Sequence, residues 1–75
     1  MEDTIKRIMS DIFGVNVGEI PDDASMESIN AWDSLKHMEL IAALEENFNI
    51  LLKADDIVAM TNYRAICTAL KSHGN

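Results

Sequence analysis

From Ser34 to Asn49 the chain runs without a glycine or a proline through residues that favour helix, and no other feature narrows the fold so far. Asp33 stands just before this run, with a side-chain oxygen able to accept a first-turn N–H, so the helix is expected to open at Ser34. Such a helix must be covered by what flanks it. Ile5, Ile8, Met9, Ile12 and Phe13 recur at the spacing of one helical face, between a cap expected at Asp3 or Thr4 and a stop at Gly14. Ala54 to Met60 predicts a short helix of one or two turns. Thr61 or Asn62 is placed to cap a last helix, whose apolar face is Tyr63, Ile66, Cys67 and Leu70 and whose end is set by Gly74. No strand-like alternation or internal repeat is present. The expected fold is all-α: a small four-helix bundle of three longer helices and one short one.

Between the first two helices, from Val15 to Trp32, periodicity dissolves into Gly18, Pro21 and small polar residues. A connection longer than about 12–15 residues is uncommon in a compact domain unless its own side chains pin it. Val17, Ile20, Met26, Ile29 and Trp32 are spaced along it as anchors, so the loop is expected to be long but ordered.

Size and charge then limit function. With 75 residues the chain is read as one domain, 1–75, and a domain this short buries only roughly 60% of the surface its unfolded chain exposes. A deep enzyme cleft is not expected. Thirteen acidic residues against six basic ones give a net charge of −7, which repels phosphate backbones and anionic headgroups. Nucleic acid and membrane are therefore not expected partners, and basic protein surfaces are. A lone cysteine, Cys67, allows no internal disulfide and no thiol-built zinc site, as in a reducing cytoplasm. The start, Met1-Glu2-Asp3-Thr4, is acidic where a signal peptide is basic, and no apolar run approaches the ~20 residues of a membrane span.

The second helix carries more apolar surface than its own domain requires. At about 100° per residue, Leu40, Leu44, Phe48 and Ile41 share one arc, which is expected to face the core. Leu35, Ala42 and Met38 form a separate arc, with Glu45 between the two on one side and Glu39 and Glu46 bordering it on the other. Either this second arc docks a basic partner, or the loop or the short helix covers it.

The helix opens Asp33-Ser34-Leu35 and continues Lys36-His37-Met38-Glu39-Leu40-Ile41-Ala42-Ala43-Leu44-Glu45-Glu46-Asn47-Phe48. This stretch resembles the acyl carrier protein family, in which an Asp-Ser-Leu triplet begins the second helix and Glu-Leu, Leu-Glu-Glu and Phe follow. The first helix, the pinned loop, the Asp55-Asp56-Ile57 segment and the capped last helix extend the resemblance over essentially the whole chain. It implies 4'-phosphopantetheine attached covalently to Ser34 by a phosphopantetheinyl transferase using coenzyme A. It also implies that Asp33, besides capping the helix, helps that enzyme position magnesium. The implied partners are acyl-transferring, ligase or synthase enzymes with basic docking patches. They would meet Leu35, Lys36, Met38, Glu39, Ala42, Glu45 and Glu46, with Ile57 of the short helix. The resemblance implies a carrier that enzymes modify and use, not an enzyme; a monomer is expected, and the lone cysteine and acidic start make the cytoplasm its expected place.

The residues themselves agree with that reading. A phosphodiester at Ser34 would sit where unpaired N–H groups and the positive end of the helix dipole favour an anion, although a helix-start serine is also an ordinary structural choice. Ser34, His37 and Asp33 supply the residue types of a hydrolase triad, but successive positions at one helix start cannot orient them as one. His37 falls on the core-facing arc, as either a partly buried imidazole with a local hydrogen bond or a residue at the mouth of an acyl-chain cavity. Asp22-Asp23 and Asp55-Asp56 begin no EF-hand loop and read as solvated charge. Cys67 reads as a small core residue, and Met26, Met38 and Met60 as adaptable core filler or lining. A cavity, if one opens, is expected at the short helix.

Compared with the housekeeping fatty-acid type, Lys36 stands where an acidic residue is common, and His37 and Met38 stand where a β-branched pair is common. Trp32 is also unusual there. These departures favour a dedicated fatty-acid or polyketide-type pathway. The alternatives are an aminoacyl or peptidyl carrier of a nonribosomal pathway, and an acidic helical interaction module that is never modified.

Overall fold

Gly14 ends the first helix in the left-handed region, at φ 69°, where a residue without a Cβ is at ease. In the computed structural model, which describes residues 2–73, helix α1 spans Glu2–Phe13, α2 spans Ser34–Phe48, α3 spans Ala54–Ala59 and α4 spans Tyr63–His73. Among the described residues there is no strand, and the architecture is the expected set of three longer helices and one short one. The predicted stop at Gly74 lies outside the described residues.

Two helix ends differ from expectation. Asp3 and Thr4 lie inside α1, which is already under way at Glu2, so Glu2 and Asp3 act as first-turn acids that complement the helix dipole. α2 ends at Phe48, because Asn49 adopts φ 54° and closes the helix with its N–H on the Glu45 carbonyl. Asparagine tolerates this conformation better than other residues with a side chain. α4 is capped by Asn62, whose side-chain oxygen accepts the Ala65 N–H at 2.8 Å. At α3 the Asp56 carboxylate accepts the Lys53 N–H at 3.3 Å.

Helices α1, α2 and α4 each bury one stripe in a common core, and α3 reaches it only through half-buried Ile57, with Met60 just after it buried. Ile5, Met9, Leu40, Leu44, Met60, Ile66 and Leu70 are fully buried, and each such side chain contributes roughly 1.5–3 kcal/mol over exposure. Ile12 and Phe48 pack at its edge. The loop between α1 and α2 is pinned as predicted by Ile20 and Trp32, which are buried, and by Met26 and Ile29 at the margin. Val17 is the exception at 43% exposed. It begins a 3₁₀ turn, Val17–Glu19, closed by the Ile20 N–H on the Val17 carbonyl at 3.1 Å, and this turn buries Ile20 in its place.

The loop is also stitched to the start of α4. Tyr63 donates its N–H to the Ala24 carbonyl at 2.9 Å, and Met26 donates to the Thr61 carbonyl at 3.0 Å, around an isolated antiparallel bridge between Ser25 and Asn62. Ala24 is fully buried at this crossing, where a small side chain lets two backbones approach. The seam holds the loop so that its last residues deliver Trp32 and Asp33 to the start of α2.

Candidate functional site

Trp32 enters the core, stacks on Phe13 with ring centroids 5.0 Å apart, and so fixes the residue that follows it at the head of α2. Asp33 is extended, at φ −107° and ψ −174°. Its Oδ1 accepts the Lys36 N–H at 2.8 Å and its carbonyl accepts the His37 N–H at 2.8 Å. Such a cap is worth about 1 kcal/mol. Ser34 follows as the first helical residue and is exposed. The N–H groups of Ser34 and Leu35 have no partner within the helix, so this end offers donors to an anion. An accessible hydroxyl at such a position fits a phosphodiester.

His37 is buried and has both ring nitrogens engaged. The Trp32 indole N–H donates to Nδ1 at 3.0 Å, and Nε2 lies 2.8 Å from the Ile57 carbonyl. An indole nitrogen can only donate, so Nδ1 is the acceptor and Nε2 carries the proton to the Ile57 carbonyl. With both nitrogens occupied, His37 cannot serve Ser34 as a base, and the triad is excluded by geometry. The two accounts of His37 combine: the imidazole is a satisfied core group that also faces a groove beside Ser34. That groove, about 310 Å³, runs between α2 and α3 and is lined by Met26, Met38, Ile57 and Val58, with Ser34 and His37. Met38 and Met26 are therefore lining, while Met60 is core.

The second arc of α2 is open. Leu35 is 69% exposed and Met38 54%, and Ala42 is exposed below them, so neither the loop nor α3 covers this face. The carboxylates around it are not equivalent. Glu46 is exposed, whereas Glu39 pairs with Lys36 at 3.7 Å. Glu45 is half-buried and its Oε2 accepts the Leu52 N–H at 2.9 Å, which ties the segment after α2 back to that helix. Ile57 is half-buried at the edge of the groove. Sequence reasoning missed Val58 and Leu51, which are 75% and 83% exposed and extend the apolar surface along α3 and the segment before it. The signal was the Leu51-Leu52 pair, adjacent apolar residues outside any helix, of which the core takes Leu52 and leaves Leu51 exposed.

The remaining acidic and thiol candidates are used structurally. Asp22 accepts a hydrogen bond from Lys6 at 2.7 Å, and this ammonium holds its carboxyl below the ordinary range. Asp56 is held low first by His73, 2.8 Å away, and then by the Lys53 N–H. Cys67 is buried as a free thiol beside Tyr63, whose phenol is pushed well above its ordinary range, first by burial and then by Cys67. No helix among the described residues is long and apolar enough to cross a membrane.

Comparison with known proteins places the chain in a family. Residues 3–70 match the family model described as the phosphopantetheine attachment site, a group held covalently on serine. The chain is 34% identical over 73 residues to the acyl carrier protein of Chlamydia caviae, covering 96% of this chain and 94% of that one. It is equally similar, 34% over 73 residues, to the acyl carrier protein of Chlamydia felis, covering 96% and 92%. Such proteins are carriers on which enzymes act, not enzymes themselves. By its matched residues and its near full-length relatives, the chain belongs to the phosphopantetheine-binding acyl carrier protein family.

Proposed function

We propose that Ser34 is the attachment residue and that the protein carries acyl groups as thioesters between enzymes of a dedicated fatty-acid or polyketide-type pathway. The observation that carries this reading is the position of Ser34: exposed at the head of α2, with the apolar groove on one side and the open Leu35 and Met38 face on the other. Loading forms a bond from the Ser34 oxygen to the pantetheine phosphate of coenzyme A and releases the nucleotide half. The bound arm supplies a terminal thiol for the thioester. Asp33 uses Oδ1 for the cap, which leaves its second oxygen for the magnesium of the loading enzyme.

Leu35, Met38 and Ala42, with Glu39 and Glu46 beside them, form the surface that a basic, partly apolar partner would meet. Exposed acids of this kind steer encounter more than they stabilise the carrier. Support for a dedicated pathway comes from Lys36, whose ammonium sits within this surface and neutralises part of it by pairing with Glu39. A free, buried Cys67 and the net charge of −7 suit a single-domain monomer working in a reducing cytoplasm. The deciding experiment is intact mass after incubation with coenzyme A and a broad phosphopantetheinyl transferase. Wild type gains one phosphopantetheinyl group and Ser34→Ala gains none; gain in both, or in neither, overturns the assignment.

A further inference from the structure

The groove beside Ser34 stops at the surface of the bundle. Its walls are apolar, but its inner side is His37, and the core residues Leu40, Leu44 and Ile66 do not line it. Behind His37 stands Trp32, buried and stacked on Phe13. The hydrogen bonds from Trp32 to His37, 3.0 Å, and between His37 and the Ile57 carbonyl, 2.8 Å, join the end of the loop to α2 and α2 to α3. An alkyl chain passing between α2 and α3 into the core would have to part the second bond. It would leave the His37 N–H and the Ile57 carbonyl, a part-buried pair, without partners beside an apolar chain, which is costly. It would also have to displace an indole from a packed site.

We infer that Trp32 and His37 determine the cargo: they close the bundle interior to an alkyl chain, so this carrier takes short acyl groups that lie along the open groove. The inference rests on Ser34 bearing the arm. A long saturated chain denied the interior would leave most of its methylenes in water, and the hydrophobic effect penalises each one. Met26, Met38, Ile57 and Val58 offer apolar contact to only the first carbons of a chain that starts from the arm at Ser34.

The test is to load Ser34 of the full chain from acetyl-, butyryl-, hexanoyl- and octanoyl-coenzyme A, confirm each product by intact mass, and follow melting temperature and the emission of Trp32, the chain's single tryptophan. The four forms are expected to melt within about 2 °C of one another, with Trp32 emission constant. A rise of about 5 °C or more for each two-carbon step, with a shift in emission, would mean that the chain enters the core and would overturn the assignment. In His37→Leu the bond to Ile57 is gone and the route is apolar, so dependence on chain length should appear. A folded variant as indifferent as the wild type overturns the role given to His37, and if the variant fails to fold the wild-type series decides alone. Failure to gain mass at Ser34 overturns the carrier reading itself, whereas loading followed by stepwise stabilisation overturns only the cargo.

Discussion

Trp32 donates its indole N–H to Nδ1 of His37 across 3.0 Å, and this one bond joins the last anchor of the loop to the first turn of α2. The relay ends on the Ile57 carbonyl of α3, so three elements share one polar network, buried at Trp32 and His37 and part-buried at Ile57, and no buried side-chain polar atom among the described residues lacks a partner. Such a network is stabilising only when complete, since a buried group left without its partner loses solvation and gains nothing in return.

Trp32→Phe tests that network. Phenylalanine can keep the stack on Phe13 but offers no N–H, and Nδ1 of His37 is then buried without a donor. The expected loss is about 1–3 kcal/mol in urea unfolding, beyond any change in packing. A midpoint within experimental error of the wild type would show that the bond contributes nothing net.

Gly14 and Gly18 make a matched pair for the backbone. Gly14 has φ +69°, Gly18 has no positive φ, and nothing lies within 4 Å of an added Cβ at either position. Gly14→Ala should therefore cost about 1–2 kcal/mol from backbone strain alone. Gly18→Ala should be neutral or gain up to about 1 kcal/mol, by narrowing the unfolded ensemble. Equal melting temperatures for the two variants would contradict this account.

How much of this was legible in the sequence depended on whether a feature was local. The α2 run, the Asp33 cap, the Gly14 stop and the core stripes of α1 and α4 rest on periodicity and on single-residue chemistry, and the structure places them as read but for the last residue of α2 and for Ile12, which lies at the edge of the core. The arc of Leu35, Met38 and Ala42 was visible on the helix itself, but whether it was covered depended on where the loop and α3 packed. His37 was readable as core-facing, yet its partners Trp32 and Ile57 lie 5 and 20 residues away, the second beyond any local pattern. Glu45 looked like part of the acidic rim, but the chain after Asn49 turns back and gives it the Leu52 N–H. Ala24 escaped notice because its burial comes from the seam with α4, which no spacing in the loop reveals.

Acid should unfold the protein partly through Asp22 and Asp56. Both carboxyls are held below the ordinary value of 3.8, Asp22 by Lys6 and Asp56 by His73 and then the Lys53 N–H. A folded-state pKa below the unfolded one means that the unfolded state binds more protons in this range. The contribution is complete above the unfolded value and is lost as pH falls through the folded one. Asp22→Asn combined with Asp56→Asn should melt below the wild type at neutral pH, and the gap should narrow as pH falls through 3.8 and go on narrowing below it. A gap that stays constant through that fall would rule out these two groups as its source.

The acidic rim is tested by charge reversal. Glu46→Lys and Glu39→Lys should each lower the rate of phosphopantetheine loading at low salt by about three- to tenfold, while circular dichroism stays unchanged, because exposed charges act mainly on encounter. Glu39→Lys should be the more severe, since it also sets a second ammonium beside Lys36. Added salt should bring the wild type down toward the variants. Loading rates that ignore both substitutions at low salt would reduce the rim to solvation.

Lys36 decides between a dedicated pathway and the general one. It lies in the first turn after Ser34, half-exposed, and pairs with Glu39 at 3.7 Å. Any enzyme that reaches an arm on Ser34 must also read this turn. A basic docking patch meets a like charge here and loses part of the attraction of Glu39 as well, and like charges across an interface cost several kcal/mol where they are desolvated. Even about 1.4 kcal/mol is tenfold in affinity. The loaded protein should therefore be a poor substrate for standard fatty-acid elongation enzymes, with kcat/KM at least about tenfold below that of the same host's housekeeping carrier. Lys36→Asp should recover much of that difference, because it removes the repulsion and releases Glu39. Elongation of the wild type at the housekeeping rate, together with no effect of Lys36→Asp, would replace the dedicated pathway with the ordinary fatty-acid role.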